Sequence, residues 1–179
     1  LVNKEGKSWK WSKEDIAFWK EMSKGELSDL DVKIYLALRE NGRLPDTELA
    51  RITGVSVPTA RRHRMSLQEK GYVQIMALFI FEEFGLASAD VILKFKEDVP
   101  KEEIEEFITE AINNKKIFEI DEYLGEYDIV LKFFDKDFKD LKKTIDDFLE
   151  GRSIIQKKLI LPAVSSPKLF TKRMKYKHV

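Results

Sequence analysis

Arg61, Arg62, His63 and Arg64 stand side by side in the stretch TGVSVPTARRHRMSLQEKGYV, residues 53–73. Such a run either solvates a helix face or meets a polyanion. Arginine suits the second task, because it grips guanine O6 and N7 with paired hydrogen bonds or clamps phosphate. The run follows a Gly-Val-Ser turn. Ser56 occupies the position of a helix N-cap, and Pro58 falls in the first turn, where a missing N–H costs nothing. A residue advances about 100° around a helix, so with Ala60 facing inward, Leu67 and Gly71 lie within about 20° of it. Pro58, Arg61, Arg62, Met65 and Glu69 then form the outer arc, and no acid stands between Glu48 and Glu69. A helix with short residues at its entry and cations outside fits the DNA major groove. Ser56, Pro58, Thr59, Arg61, Arg62 and His63 are therefore the candidate DNA contacts, although His63 equally suits a partly buried filling position. Arg64 falls on the inner arc, about 40° from Ala60. Either its stem lies along the core with the guanidinium in solvent, or the helix is rotated from this assignment.

Other chemistry lacks its equipment. The chain has two histidines, His63 and His178, and no cysteine, so disulfides and thiolate metal sites are excluded. No glycine loop of the kind that cradles phosphates is present. Glu102, Glu103, Glu105 and Glu106 read as a solvated helix face. We expect no catalytic residue, no metal and no cofactor. No apolar run approaches the roughly 20 residues of a membrane span, and LVNKEGKSWKW has no signal-peptide core. A soluble, cytoplasmic protein without membrane contact is the expectation. Overall neutrality hides a division: residues 1–75 carry +3, residues 76–165 carry −8, and residues 166–179 carry five bases and no acid. The first and last segments are the ones suited to nucleic acid.

The elements that must position these residues follow from caps and periodicity. Ser12 with Asp15, and Ser28 with Asp31, have the form of capping boxes. They open helices with stripes at Ile16, Trp19 and Met22, and at Leu30, Ile34 and Leu38. PDTELARIT supplies a short third helix, and Ser56 opens a fourth that Gly71 stops. Helix, short glycine turn and helix make a helix-turn-helix. From Tyr72 the period changes. We predict a β-rich connector strand over 74–86, then a strand at 87–96, a helix at 100–116, two strands at IFEIDEYLG and YDIVLKFFD, a helix at DFKDLKKTIDDFLE and a strand at 153–163. The helix stripes are Ile104, Phe107, Ile108, Ala111 and Ile112, then Phe138, Leu141, Ile145, Phe148 and Leu149. The fold class is α+β: an N-terminal, winged-helix-like helix-turn-helix domain joined by a β connector to a C-terminal βαββαβ ferredoxin-like sandwich. The divisions are a 1–26 extension with a helix, a 27–73 helix-turn-helix, a 74–86 connector, an 87–164 ferredoxin-like domain and a 165–179 basic tail.

Two strands are apolar on both faces. In IVLKFF, Ile129, Leu131 and Phe133 point one way while Val130 and Phe134 point the other, and LIL at 159–161 is likewise continuous. If helices cover one face, the second needs another cover. A second copy is the economical one, giving a two-fold dimer; the connector or the N-terminal helix folding over is the alternative.

Together these features resemble the Lrp/AsnC, or feast/famine, family of transcription regulators. The segment LSDLDVKIYLALRENGRLPDTELARITGVSVPTARRHRMSLQEKGYV is similar to that family's helix-turn-helix. GEYDIVLKF at 125–133 resembles its Gly-x-Tyr/Phe-Asp turn between the second and third strands of the C-terminal domain. The resemblance covers residues 27–163 and implies a homodimer or larger ring on double-stranded operator DNA. It also implies an amino-acid effector pocket where C-terminal domains of neighbouring subunits meet, with Gly125, Tyr127 and Asp128 at it. Each of the three also has a plain structural use: Gly125 in a tight turn, Tyr127 in packing, Asp128 as a turn cap. Three departures stand out: the extension with Trp9, Trp11 and Trp19, expected to pack on the next helix; Arg64 in place of an aliphatic residue; and the long basic tail. Two other functions fit the same residues: an architectural DNA binder without effector, and an oligomeric co-regulator that no longer binds DNA specifically.

Overall fold

Serine side chains open three of the first four helices. Ser12 caps α1 (Lys13–Met22) and Ser28 caps α2 (Asp29–Glu40), each with the reciprocal carboxylate of a full capping box, from Asp15 and Asp31. Ser56 caps α4 (Val57–Glu69). The shorter α3 (Asp46–Thr53) begins after Pro45 without a side-chain cap. These elements come from a computed structural model that describes residues 11–169 and 172–173. Its chain divides between Leu78 and Phe79 into two units.

In the first unit Ile34, Ala37, Leu38, Leu49, Ala50, Ala60 and Leu67 form the core. Burial of an aliphatic side chain of this size stabilises by about 1.5–3 kcal/mol, so this cluster, and not α1 with its lack of buried residues, holds the unit. The α2 stripe of Leu30, Ile34 and Leu38 is wider than periodicity predicts. Val32 and Leu36 are also buried, because α1, α3 and α4 all pack on α2. Trp19 does pack on the next helix, edge-on to Tyr35 at 4.8 Å and with the Arg39 guanidinium 5.9 Å from its ring centre. Trp11 packs against the same core. Trp9 lies outside the described residues.

The second unit contains β1 (Ala87–Phe95), α5 (Lys101–Asn113), β2 (Ile117–Glu122), β3 (Ile129–Asp135), α6 (Phe138–Leu149) and β4 (Ile155–Pro162). The strands form one antiparallel sheet in the order β2-β3-β1-β4, the βαββαβ arrangement expected. Val91 on β1 lies between Leu131 and Ile160. The inner face of β1 (Ala87, Ala89, Val91, Leu93, Phe95) packs with Phe107 and Ala111 of α5 and Leu141, Ile145 and Leu149 of α6. Ile112 and Phe138, assigned to the two helix stripes, are exposed. Ile112 lies about 90° from the middle of its stripe, and Phe138 has the right phase but sits in the first turn of α6. A short pair, β5 (Lys168–Leu169) and β6 (Lys172–Arg173), lies in the basic tail; the rest of that tail falls outside the described residues.

The connector differs from expectation. Residues 73–80 have no regular structure and Phe81–Phe84 make one 3₁₀ turn. An extended segment needs a neighbour for its N–H and C=O groups, and none pairs with it among the described residues. Part of it covers the second face of the sheet instead. Phe81 stacks on Phe134 at 4.7 Å and meets Phe118 edge-on at 4.9 Å. Leu159 and Leu161 on that face remain 40% and 46% exposed.

One buried carboxylate ties three parts of the second unit together. Asp135, at the end of β3, accepts from Lys116 Nζ at 2.7 Å, Thr144 Oγ1 at 2.6 Å and the Lys136 N–H at 2.8 Å. Burial pushes its pKa up, but these hydrogen bonds outweigh burial and bring it down to about 2. A native pKa below the unfolded value contributes stability that is present above the ordinary carboxylate range and lost as pH falls towards 2. Asp135→Asn should therefore cost about 1–3 kcal/mol at neutral pH in urea unfolding. It should also flatten the loss of stability between pH 4 and 2, and an acid limb as steep as that of the wild type would refute this role.

Candidate nucleic-acid interface and ligand cleft

The turn between α3 and α4 is built from Gly54, Val55 and Ser56. Gly54 has φ +76°, a left-handed value that glycine adopts without strain, and its N–H closes α3 on the Ala50 carbonyl at 2.9 Å. Ser56 Oγ then accepts from the Thr59 N–H at 3.3 Å and lies 2.8 Å from Thr59 Oγ1. Ala60 and Leu67 are buried, as the helical phase predicts, so α4 is not rotated from its assignment. Ser56, Val57, Pro58, Arg61, Arg62 and Met65 are exposed and Thr59 is half-buried. Neither Arg61 nor Arg62 makes a hydrogen bond or ion pair among the described residues, although Arg61 lies near enough to Asp46 to help lower its pKa.

The other two members of the basic run turn inward. His63 Nδ1 lies 2.7 Å from Asp31 Oδ1, the carboxylate of the α2 capping box. Burial raises the Asp31 pKa, but hydrogen bonds from Ser28 and His63 outweigh it and leave the carboxyl below its ordinary value. His63 is thus the partly buried filling residue rather than part of the outer arc. Arg64 donates from Nε to Asp46 Oδ1 at 2.6 Å, from a terminal nitrogen to Asp46 Oδ2 at 3.1 Å, and from the other to Gln68 Oε1 at 2.7 Å. These bonds hold the Asp46 carboxyl below, and the Arg64 guanidinium above, their ordinary pKa values. Helical phase placed Arg64 inward; no sequence signal named Asp46 or Asp31 as the partners, because both pairs cross between helices.

In the second unit Gly125, Tyr127 and Asp128 lie in the turn between β2 and β3. Gly125 has φ +156°, and nothing lies within 4 Å of where a Cβ would stand, so this glycine answers to backbone conformation and not to crowding. Asp128 is fully employed. Its carboxylate accepts from Lys94 Nζ at 2.9 Å and from the Phe95 N–H at 2.7 Å, and its own N–H donates to the Leu93 carbonyl at 2.9 Å. Burial raises its pKa, but the Lys94 and Phe95 bonds prevail and lower it. Asp128 also borders a cleft of about 530 Å³ lined by Lys94, Lys96, Glu97, Ile104, Ile108, Glu122, Tyr123 and Leu124, among others. Gly125 and Tyr127 are not in its lining. The register Leu93 opposite Ile129 brings Lys94 beside Asp128, and the sequence carried no signal for that pairing. Among the described residues no group of His, Asp and Glu is arranged to hold a metal ion, and no helix is long and apolar enough to cross a membrane.

Residues 27–74 match the family of winged helix-turn-helix DNA-binding domains. Over 147 residues, 82% of this chain and 92% of the other, the sequence is 34% identical to an uncharacterised helix-turn-helix-type transcriptional regulator, PH1055, of Pyrococcus horikoshii. The transcriptional regulator NMB0573 of Neisseria meningitidis, solved in complex with L-Met, superposes with a TM-score of 0.73 at 25% identity. That match covers 85% of this chain and 98% of that one. The AsnC protein of E. coli superposes with a TM-score of 0.70 at 19% identity, covering 82% and 97%.

The bonds around Asp128 make a prediction that needs no ligand. Asp128→Ala leaves the Phe95 N–H and Lys94 without their acceptor and should lower stability by about 1–3 kcal/mol. Thermal melting of the ligand-free protein measures this, and an unchanged midpoint would assign the carboxylate no structural part.

Proposed function

The chain belongs to the Lrp/AsnC family of helix-turn-helix transcriptional regulators, and on that premise we propose that it reads operator DNA sequence-specifically and responds to an amino acid. One observation carries the first half: Arg61 and Arg62 stand exposed, with no hydrogen bond among the described residues, on the outer arc of a capped second helix. Ser56, Pro58, Thr59 and Met65 share that surface. Short residues at the entry let the helix approach base edges, and the two arginines supply bidentate donors to guanine or clamps to phosphate. Arg64, whose odd position suggested a disturbed recognition helix, is satisfied internally, which supports an intact motif over a co-regulator that has lost DNA binding. The site of action is the cytoplasm, where operator DNA lies.

For the effector, the cleft beside Asp128 offers complementary chemistry. Lys94 and Lys96 suit a carboxylate, Glu97 and Glu122 an ammonium group, and Ile104 and Ile108 an apolar side chain. The likeness to a regulator bound to L-Met supports an amino acid of this kind. In this reading Asp128 orients Lys94, while Gly125 and Tyr127 shape the turn at the rim. The cleft is open to solvent, and a neighbouring subunit is its natural closure. A homodimer, or a higher oligomer built from dimers, is supported by the apolar second face at Leu159 and Leu161 and by a connector that exposes Ile75, Met76, Leu78 and Phe79 without a strand partner.

A sequence-tolerant architectural binder is the competing reading, favoured by the five bases and no acids of residues 166–179. Selection of duplexes from a random pool by the purified protein separates the two, since only a specific regulator enriches a motif. On the selected duplex, Arg61→Ala and Arg62→Ala should each make the slope of log affinity against log salt shallower by about one, with melting unchanged. An unaltered slope in both variants would show that the outer arc misses DNA. A melting screen over the amino acids should find one that raises the midpoint, by an amount equal to about 2.7 kcal/mol at a hundredfold excess over Kd. A monomer on sizing columns at micromolar concentration would remove the shared cleft.

A further inference from the structure

Two helices leave the Gly54–Ser56 turn like the arms of a V. Asp46 stands seven residues before the end of α3, and Arg64 seven residues after the start of α4. At about 1.5 Å per residue, each lies roughly 10 Å along its arm from the turn. The Arg64–Asp46 ion pair therefore spans the open side of the V, far from the hinge. Three of the five guanidinium donors are used, two on Asp46 and one on Gln68 of the same helix. The Gln68 bond fixes the guanidinium relative to α4, so the bidentate contact fixes Asp46 relative to that helix in turn. Both side chains are mostly covered, at 24% and 21% exposure, which limits screening by salt. Beneath the pair, Leu49 and Ala50 of α3 and Ala60 and Leu67 of α4 are buried in one apolar core. Apolar packing is non-directional, whereas the bidentate pair restricts distance and plane, so the pair adds a directional restraint on the angle between the arms.

We propose that Arg64 is a positioning residue for DNA recognition: the Arg64–Asp46 pair braces the open side of the α3–α4 angle and sets which base edges Arg61 and Arg62 reach. Arg64 and its outward neighbours share one helix but not one role. Moving α4 by an ångström leaves phosphate clamps within reach, because long arginine side chains adapt to a uniform backbone. Bidentate base contacts have no such latitude. Loss of the brace therefore costs selectivity and spares general affinity. This rests on the sequence-specific reading above.

The test compares wild type, Arg64→Leu, Asp46→Asn and the exchanged pair Asp46→Arg with Arg64→Asp. Each is titrated by fluorescence anisotropy with a duplex selected by the wild type and with an unrelated duplex of equal length, across a salt series. Arg64→Leu refills the inner arc with an aliphatic side chain, and its expected result is at least a tenfold fall in the ratio of specific to non-specific affinity. The non-specific affinity and its salt slope stay at wild-type values, which a general loss of folded protein would not give. Asp46→Asn should do the same in lesser degree, and the exchanged pair should recover most of the ratio. A salt slope shallower by about one in Arg64→Leu overturns the proposal, because Arg64 then touches phosphate itself. An unchanged ratio in folded Arg64→Leu or Asp46→Asn overturns it as well. Equal affinity of the wild type for both duplexes defeats the sequence-specific reading and the brace with it. A selective wild type whose variants stay selective defeats the brace alone.

Discussion

The recognition helix is held by two carboxylates that reach it from other helices, Asp46 from α3 and Asp31 from α2. Partly exposed ion pairs of this kind are worth little as stability, about a kcal/mol or less each. Their importance is geometric. Apolar packing in this four-helix unit is non-directional. A bidentate guanidinium–carboxylate contact restricts both distance and plane. The same two contacts divide the basic run, drawing His63 and Arg64 inward and leaving Arg61 and Arg62 as the exposed cations. The exposed cationic surface of α4 is in this sense a product of packing on its opposite side.

The second unit repeats the pattern with different residues. Asp128 and Asp135 stand at opposite ends of β3, one just before its first residue and one at its last. Asp128 joins that strand to β1 through the Phe95 N–H and Lys94. Asp135 joins it to α6 through Thr144 and to the start of β2 through Lys116. Lys132 between them salt-bridges Glu119 at 2.9 Å and Asp121 at 3.2 Å across the second face. Charged side chains thus fix the register at the sheet's rim, where the aliphatic core gives way to solvent. The cleft opens at one of these tied ends, beside Asp128 and Lys94.

Most of the fold was legible in the sequence because its signals are local. Ser12, Ser28 and Ser56 mark helix starts through hydrogen bonds to residues three positions away. The change from a helical period to alternation marks the second unit, and β1 shows that alternation fully in its burial. The readings that needed revision depend on neighbours. Val32 and Leu36 are buried because α2 has helices on three sides, which its own period cannot express. The connector is β-rich in composition and yet has no strand partner among the described residues, because a strand is a property of two segments. Ile112 has the residue type of its stripe but lies at the edge of the arc.

The candidate sites divide along the same line. By itself the sequence determined that Arg61 and Arg62 face outward and Ala60 and Leu67 inward, because rotation per residue is fixed by the helix alone. It also determined the βαββαβ order and the position of Gly125, Tyr127 and Asp128 in one turn. Only the tertiary structure decided that His63 and Arg64 have carboxylate partners 32 and 18 residues away. It alone decided that Asp128 is held by Lys94 and that a cleft opens beside them. The physical reason is that a cap or a stripe is settled within a few residues of chain. An ion pair between helices, or a register between strands, exists only after the backbone has brought distant segments within hydrogen-bonding distance.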